Sequence, residues 1–366
     1  MNDKKKRIAF YCGSLTKGGA ERVFVNLAEY FYKVGYEVFM VTQYKHEDEY
    51  VISSGITRIL SDITKEETGK NRVVNFIRRF LKLRGIFKKT KPDLVMTCIG
   101  KNNIMAIATN TFFKTKVVIS VVADPKMEYE TKLMRFLARH YFAFADGIVL
   151  QTQDAKLFFP NKIREKAVIL PNSLNPQFAV PRFEGVRRKE IVAVGRLDEN
   201  KNHAMLIRAF SQIAKQFPDY NITIYGDGDK KEELGHLIEK CGMGNRVKLA
   251  GRSDKIKEQI YESSIFVLTS DTEGMPNALI EAMALGLTVI STDCPCGGPK
   301  DLITHGQNGY LIPVRDEEAL KEQLIYCLSH PKEADRVGRN AANIQKSMNP
   351  NLVNKKWEEY FRKIME

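Results

Sequence analysis

IFVLTSDTEGMPNALIEAMALGLTVIST, residues 265–292, sets two short apolar runs, IFVLTS and LTVIST, on either side of a loop and a helical stretch. A strand that passes through a helix to a second strand is a βαβ unit, and its crossover makes the two strands parallel. The same grammar extends outward from it. RIAFYC, YEVFMVT, TRILSD, DLVMTC, KVVISVV, GIVLQT and AVILPN precede it, separated by segments of 3.6-residue periodicity. In the first of these segments Ala20, Val23, Phe24, Leu27, Phe31 and Val34 share a face, and Gly35 follows as a stop signal.

The alternation pauses over PNSLNPQFAVPRFEGVRRK, residues 171–189, which holds three prolines and little periodicity and reads as a linker. It restarts with EIVAVGRL, NITIYGDG, RVKLAG, IFVLTS, LTVIST and NGYLIPV. The pattern predicts an α/β protein of two facing, doubly wound, Rossmann-like parallel-sheet domains with a ligand cleft between them. Residues 1–178 form the first, 179–189 the linker and 190–345 the second, while 346–366, with the lone Trp357, cap the second domain or cross back to the first.

The 366 residues carry 57 Lys+Arg against 44 Asp+Glu, a net charge of +13, which suits an anionic partner: a phosphorylated substrate, an acidic membrane surface or nucleic acid. No RNA- or DNA-binding module accompanies the charge, which argues against the last. Cys12, Cys98, Cys241, Cys294, Cys296 and Cys327 lie in apolar runs without CxxC pairs and read as reduced core thiols of a cytosolic protein. Only CPC at 294–296 is close-set, and no His or Cys stands near it at zinc spacing. The apolar run after KKKR is too short for a signal peptide and reads as a first strand, and no run approaches the roughly 20 residues of a membrane-spanning helix.

Chemistry-bearing residues follow the strands. After EIVAVG, Arg196 and Lys201 bracket a loop leading into a helix, and a guanidinium and an ammonium there suit a diphosphate leaving group; solvated surface cations are the plain alternative. After IFVLTS, Gly274 and Pro276 shape the approach to a helix whose first amides, at Asn277, Ala278 and Leu279, offer a phosphate site. Glu273 lies just before that site, and Glu281, over a turn inside the helix, can turn toward ribose hydroxyls. The two carboxylates would grip different parts of one ligand, whereas a glycosidase pair must flank one bond, which their different local structures disfavour.

In the first half CGSLTKGGAERVF gives a Gly-rich turn in which Gly18 and Gly19 let backbone amides approach a phosphate, though it is neither GxGxxG nor a Walker loop and also reads as a plain connection. Asp227 and Asp229 in YGDGD mimic a metal-binding pair, yet the flanking glycines read as a turn, and no metal is expected. Residues 71–91 hold Arg72, Arg78, Arg79, Lys82, Arg84, Lys88, Lys89 and Lys91 without an acid, beside an apolar set of Val73, Ile77, Phe80, Leu81 and Phe87. A basic amphipathic helix at an anionic membrane and a helix docked on the sheet with a solvated basic side both fit.

Taken together, Gly18-Gly19, GRLDENK, EGMPNALIEAMALG and the later GGPKDLI and GQNGYLI resemble the family 4 retaining glycosyltransferases of the GT-B fold, strongly over 190–315 and more loosely before. The resemblance implies metal-independent transfer from a nucleotide-sugar, with retention at the anomeric carbon and no cofactor. It assigns the donor diphosphate to Arg196 and Lys201, the donor sugar to Glu273 and the distal phosphate to the amides of Asn277, Ala278 and Leu279. It likewise gives the ribose to Glu281, donor contacts to Gly274, Met275 and Pro276, the base to the loop at Gly251 and Arg252, and closure on the phosphates to Gly18 and Gly19.

Where many relatives carry a His after the last central strands of the first domain, this chain reads VISVVADPKMEYE, leaving Asp124 and Glu128 as candidate acceptor contacts. The expected activity is transfer of a hexose or N-acetylhexosamine, from a UDP-sugar in preference to GDP-mannose, to a lipid-linked glycan of surface polysaccharide biosynthesis. The expected location is the cytoplasm or the inner face of the membrane, with Arg78, Arg79, Lys82, Arg84, Lys88 and Lys89 as membrane-surface cations. A nucleotide-sugar binding protein without turnover is a second class, and a dinucleotide oxidoreductase, disfavoured by the missing GxGxxG, a third.

Overall fold

A computed structural model describes residues 5–366. The strands of its first sheet are β1 (Arg7–Cys12), β2 (Glu37–Thr42), β3 (Thr57–Leu60), β4 (Leu94–Cys98), β5 (Lys116–Val121), β6 (Gly147–Leu150) and β7 (Ala167–Ile169). The second sheet holds β8 (Arg188–Val194), β9 (Asn221–Tyr225), β10 (Val247–Gly251), β11 (Ser263–Leu268), β12 (Thr288–Thr292) and β13 (Tyr310–Ile312). The orders are β3-β2-β1-β4-β5-β6-β7 and β10-β9-β8-β11-β12-β13. Every strand pairing is parallel, so helices cover both faces and the central strands are apolar throughout.

The chain divides into two compact units, one running to Asn172 and joined by Val353–Glu366, the other Ser173–Leu352. The boundary therefore falls at the start of the proline-rich stretch, between Asn172 and Ser173. Leu174 and Phe178 are fully buried in the second unit's core, so residues 173–178 are packed structure, not part of the first domain or a free linker. Residues 346–352 also stay with the second unit, whereas the helix Pro350–Met365 lays Val353, Trp357 and Phe361 into the first unit's core. Phe361 stacks on Phe31 with ring centroids 5.0 Å apart, and Trp357 Nε1–H donates to Pro171 O at 3.3 Å.

The first helix, Gly19–Lys33, buries Phe24, Val25, Leu27, Ala28 and Phe31, but Val34 is its exposed C-cap and does not continue the stripe. The basic helix Arg72–Thr90 corrects the sequence reading more deeply. Leu83, Phe87 and Thr90 dock its second half on the sheet, while Val73, Val74, Phe76, Ile77 and Leu81 in the first half stand in solvent. Spacing alone joined Val73, Ile77 and Leu81 to Phe87, but the helix outruns the surface beneath it.

Several of its cations are also engaged within the protein. Arg79 pairs with Asp62 at 2.6 Å, Arg78 donates to Glu67 O, and Lys82 reaches Asp62 O and the Glu67 carboxylate. Arg84 donates to Thr109 O and Thr111 O and covers the Phe113 ring at 4.2 Å. The acids that meet them come from the preceding loop, outside the stretch that held none. Lys88 and Lys89 remain exposed. Among the described residues no helix is long and apolar enough to cross a membrane.

Phe361→Ala should destabilise the protein by about 3–5 kcal/mol, the usual cost of emptying a buried aromatic site. Urea unfolding followed by the fluorescence of Trp357, one turn away on the same helix, measures it.

Candidate functional site

In an open parallel sheet the strand order reverses at one point, and the loops leaving the two central strands there diverge to form a crevice. In the second unit that point lies between β8 and β11, where Ile191 faces Ile265 and Val192 faces Phe266. The loops carrying Lys201 and Glu273, 72 positions apart in sequence, thus start side by side.

Asn200 laces them together. Its Nδ2 donates to Thr272 O at 3.0 Å, its Oδ1 accepts from Thr272 N and Oγ1 at 3.1 and 3.0 Å, and its own carbonyl accepts from Asp271 N at 2.8 Å. Thr269 Oγ1 donates to Lys201 O at 2.8 Å. With the backbones fixed, Lys201 Nζ and Glu273 Oε1 form an ion pair whose side chains are only 16% and 12% exposed. Ser270 Oγ donates to the same oxygen at 2.5 Å, and Glu273 N donates to Pro295 O at 2.7 Å.

Sequence spacing grouped Lys201 with Arg196, and in the structure the two cations pair with different carboxylates. Arg196 is 78% exposed and pairs with Asp198 at 3.1 Å.

The helix Asn277–Ala284 begins after Pro276 as expected. Of its first three amides, Leu279 N–H is taken by Pro276 O at 3.1 Å, so it is not available to a phosphate; Ala278 N–H has no acceptor among the described residues. Met275, Gly274 and Pro276 are buried, and Glu281 is 5% exposed, its carboxylate oxygen Oε1 sealed from solvent. At the far end Arg187 Nη2 donates to Leu285 O and Gly286 O at 2.9 and 3.0 Å, a cation where the helix dipole is negative. Gly298 is required by close approach, because a Cβ there would overlap the Gly274 carbonyl oxygen.

The loop after β9 supports this from the other side. A Cβ at Gly226 would overlap Gly195 O, so the glycines of YGDGD let two crevice loops touch backbone to backbone. Gly226 N–H donates to Gly251 O at 2.9 Å, and Arg252 is exposed just beyond, after a strand two places from β8.

His203, which sequence reasoning passed over, is buried at the start of the helix His203–Ile213. Its Nε2–H donates to Arg196 O at 3.2 Å, and Nδ1 has no hydrogen-bond partner among the described residues. Burial, then the nearby Lys201 ammonium, lower its pKa to about 4. Burial and the neighbouring Glu273 push the thiol of the buried Cys294 up to about 12.

In the first unit the reversal lies between β1 and β4. Gly18 is the N-cap of the helix Gly19–Lys33, and its N–H donates to Thr16 O at 2.6 Å, which leaves that amide spent locally. Asp124 and Glu128 are also committed locally. Asp124 caps the short helix Pro125–Glu128 by accepting from Lys126 N at 2.9 Å. Glu128 Oε1 accepts from Gly100 N at 2.6 Å and Tyr129 Oη at 2.8 Å, and burial raises the carboxyl pKa. Glu128 Oε2 is buried without a hydrogen-bond partner among the described residues. Among the described residues no cluster of His, Cys, Asp and Glu suits a metal.

Residues 180–344 match the family described as Glycosyl transferases group 1, and the match contains the whole β8–β11 crevice. The chain is a glycosyltransferase. It is 26% identical over 355 residues to a Campylobacter jejuni protein, the "GalNAc-alpha-(1->4)-GalNAc-alpha-(1->3)-diNAcBac-PP-undecaprenol alpha-1,4-N-acetyl-D-galactosaminyltransferase", covering 96% of this chain and 97% of that one. It is 25% identical to the amylovoran biosynthesis glycosyltransferase AmsD of Erwinia amylovora, over 95% and 97% of the two chains. The glycosyltransferase shares its GT-B architecture with Anabaena Alr3699/HepE in complex with UDP and glucose (TM-score 0.82, 17% identity, 98% of this chain and 100% of that one). Sucrose-phosphate synthase of Thermosynechococcus elongatus superposes with a TM-score of 0.85 at 17% identity, over 98% and 99%.

A histidine kept neutral in the fold costs stability when the unfolded chain can take up a proton. His203 should therefore contribute in full above its unfolded pKa of about 6.5 and lose roughly 3 kcal/mol as the pH falls toward 4. His203→Gln should flatten the pH dependence of the urea midpoint between pH 7.5 and pH 4.5, relative to the parent.

Proposed function

We propose that this glycosyltransferase is a retaining enzyme that moves a hexose or N-acetylhexosamine from a UDP-sugar to a lipid-linked glycan in surface polysaccharide biosynthesis. The observation that carries the reading is the convergence of the Lys201 ammonium, the Glu273 carboxylate and the start of the helix 277–284 at the β8–β11 reversal. A nucleotide-sugar offers each its complement. The diphosphate meets Lys201 and the Ala278 amide, a sugar hydroxyl donates to Glu273, and the ribose hydroxyls meet Glu281. Arg196, exposed and paired with Asp198, adds a second cation once a diphosphate draws it in.

In the proposed step the bond from the anomeric carbon to the β-phosphate oxygen breaks while the acceptor oxygen bonds to the same face of that carbon. The acceptor proton passes to the departing phosphate oxygen, and the nucleoside diphosphate leaves. Lys201 and the helix dipole stabilise the negative charge that grows there, so no metal is needed for that purpose. UDP and a PP-undecaprenol-linked acceptor are supported by the names of the HepE complex and the Campylobacter enzyme.

The overhanging half of the helix 72–90 supports a membrane-facing role in the same reading. Val73, Val74, Phe76, Ile77 and Leu81 are exposed on a helix that also bears Arg72, Lys88 and Lys89, a composition suited to the interface of an anionic bilayer.

Incubation with UDP-, GDP- and ADP-sugars and a lipid-diphosphate acceptor should release UDP from one UDP-sugar and leave the anomeric configuration unchanged; inversion by NMR rejects retention. Lys201→Ala and Glu273→Ala should each lower kcat by about 10²–10³-fold, and a chelator should leave the rate unaltered. For the membrane clause, the protein should co-sediment with anionic vesicles at low salt. Phe76→Glu with Ile77→Glu should abolish that without lowering the melting temperature, since neither side chain is buried.

A further inference from the structure

Glu273 Oε1 receives two donors, Lys201 Nζ and Ser270 Oγ, the latter at 2.5 Å. Oε2 receives none among the described residues. The two donors differ in freedom. Lys201 ends a long flexible chain, and its ammonium is a cation that any diphosphate competes for. Ser270 is fully buried directly after β11, and its carbonyl accepts from Thr292 Oγ1 at 2.6 Å, on the neighbouring strand β12. Its hydroxyl therefore sits just past the carboxyl end of a central strand, on backbone tied to the next strand.

We propose that Ser270 is a positioning residue for donor-sugar recognition. It holds Glu273 Oε1 so that Oε2 is the oxygen presented to a sugar hydroxyl, and it keeps that aim when a diphosphate draws Lys201 away. A glutamate carries three side-chain torsions, and a carboxylate pinned at one oxygen and at its own amide has little freedom left. The backbone amide is pinned to Pro295 O, and the hydroxyl supplies the second point. This rests on the nucleotide-sugar reading above and adds a residue that acts through Glu273 without touching the ligand.

The test uses binding without acceptor, so that it does not depend on residual turnover. Calorimetry gives the affinity for UDP and for the UDP-sugar selected by the release assay, and their ratio isolates the sugar's contribution. Ser270→Ala, which removes one atom from a packed site, should lower that ratio by about tenfold and leave UDP affinity unchanged, in keeping with the loss of a hydrogen bond to a charged group. In a Glu273→Gln background Ser270→Ala should have no further effect on the ratio.

A merely structural serine would lower the melting temperature and both affinities together. Equal losses in the parent and Glu273→Gln backgrounds, or an unchanged ratio, overturn the proposal while leaving the functional reading intact. Failure of the parent to bind any UDP-sugar removes the reading and this proposal together.

Discussion

The pairing of β8 with β11 is the constraint on which the site depends. Because the sheet's order reverses between them, the two strands lie in contact while their following helices leave to opposite sides. The loops are thus brought together by the backbone ladder, before any side chain is chosen. Asn200 then converts proximity into register, since one side chain satisfies the amide, carbonyl and hydroxyl of Thr272. A partly buried ion pair is tolerable only where geometry is fixed in this way, because each charge has given up water for one partner.

The same economy of backbone contact shapes the helix 277–284. Its N-terminus reaches the crevice because Gly298 lets the chain after β12 lie against the Gly274 carbonyl, and Glu273 is anchored to Pro295 in that same segment. Its C-terminus is closed by Arg187, whose pKa burial lowers to about 10 and which still meets the Leu285 and Gly286 carbonyls. A cation at that end and an amide without an acceptor among the described residues at the other orient the helix's field toward the crevice. The segments at Gly298 and Arg187 have no chemical signature of their own, yet they hold the groups that do.

Strand positions were legible because β-branched runs bounded by glycine, proline and polar turns are short-range signals, and all thirteen runs are strands. The loops bearing Lys201 and Glu273 were legible for the same reason, as they follow strands. What spacing could not supply was partnership. Lys201 stands five positions from Arg196 but pairs with Glu273, because the link between strands is made through the ladder and not along the chain. Ser270, Asn200 and His203 are ordinary polar residues in sequence, and only burial and direction distinguish them. The helix 72–90 failed in the opposite sense: its periodicity was real, but how far the sheet extends beneath a helix is a tertiary fact. The local partners of Asp124 and Glu128 were equally illegible, since a helix start that takes a bond from an acid is not marked in the sequence around it.

The ion pair also bears on how the proposed site would discriminate among ligands. Lys201 and Glu273 neutralise each other, and Ser270 adds a neutral donor to the carboxylate. A free nucleoside diphosphate can take the ammonium, but it brings no hydroxyl for Glu273, which is left with one donor at 12% exposure. A nucleotide-sugar supplies both complements, so each half of the separated pair finds a new partner. The cost of opening the pair therefore falls more heavily on the spent donor than on the intact one. In the proposed enzyme such an arrangement would oppose product inhibition without any contact that only the product makes, because what would reject the product is a carboxylate returned to its lysine.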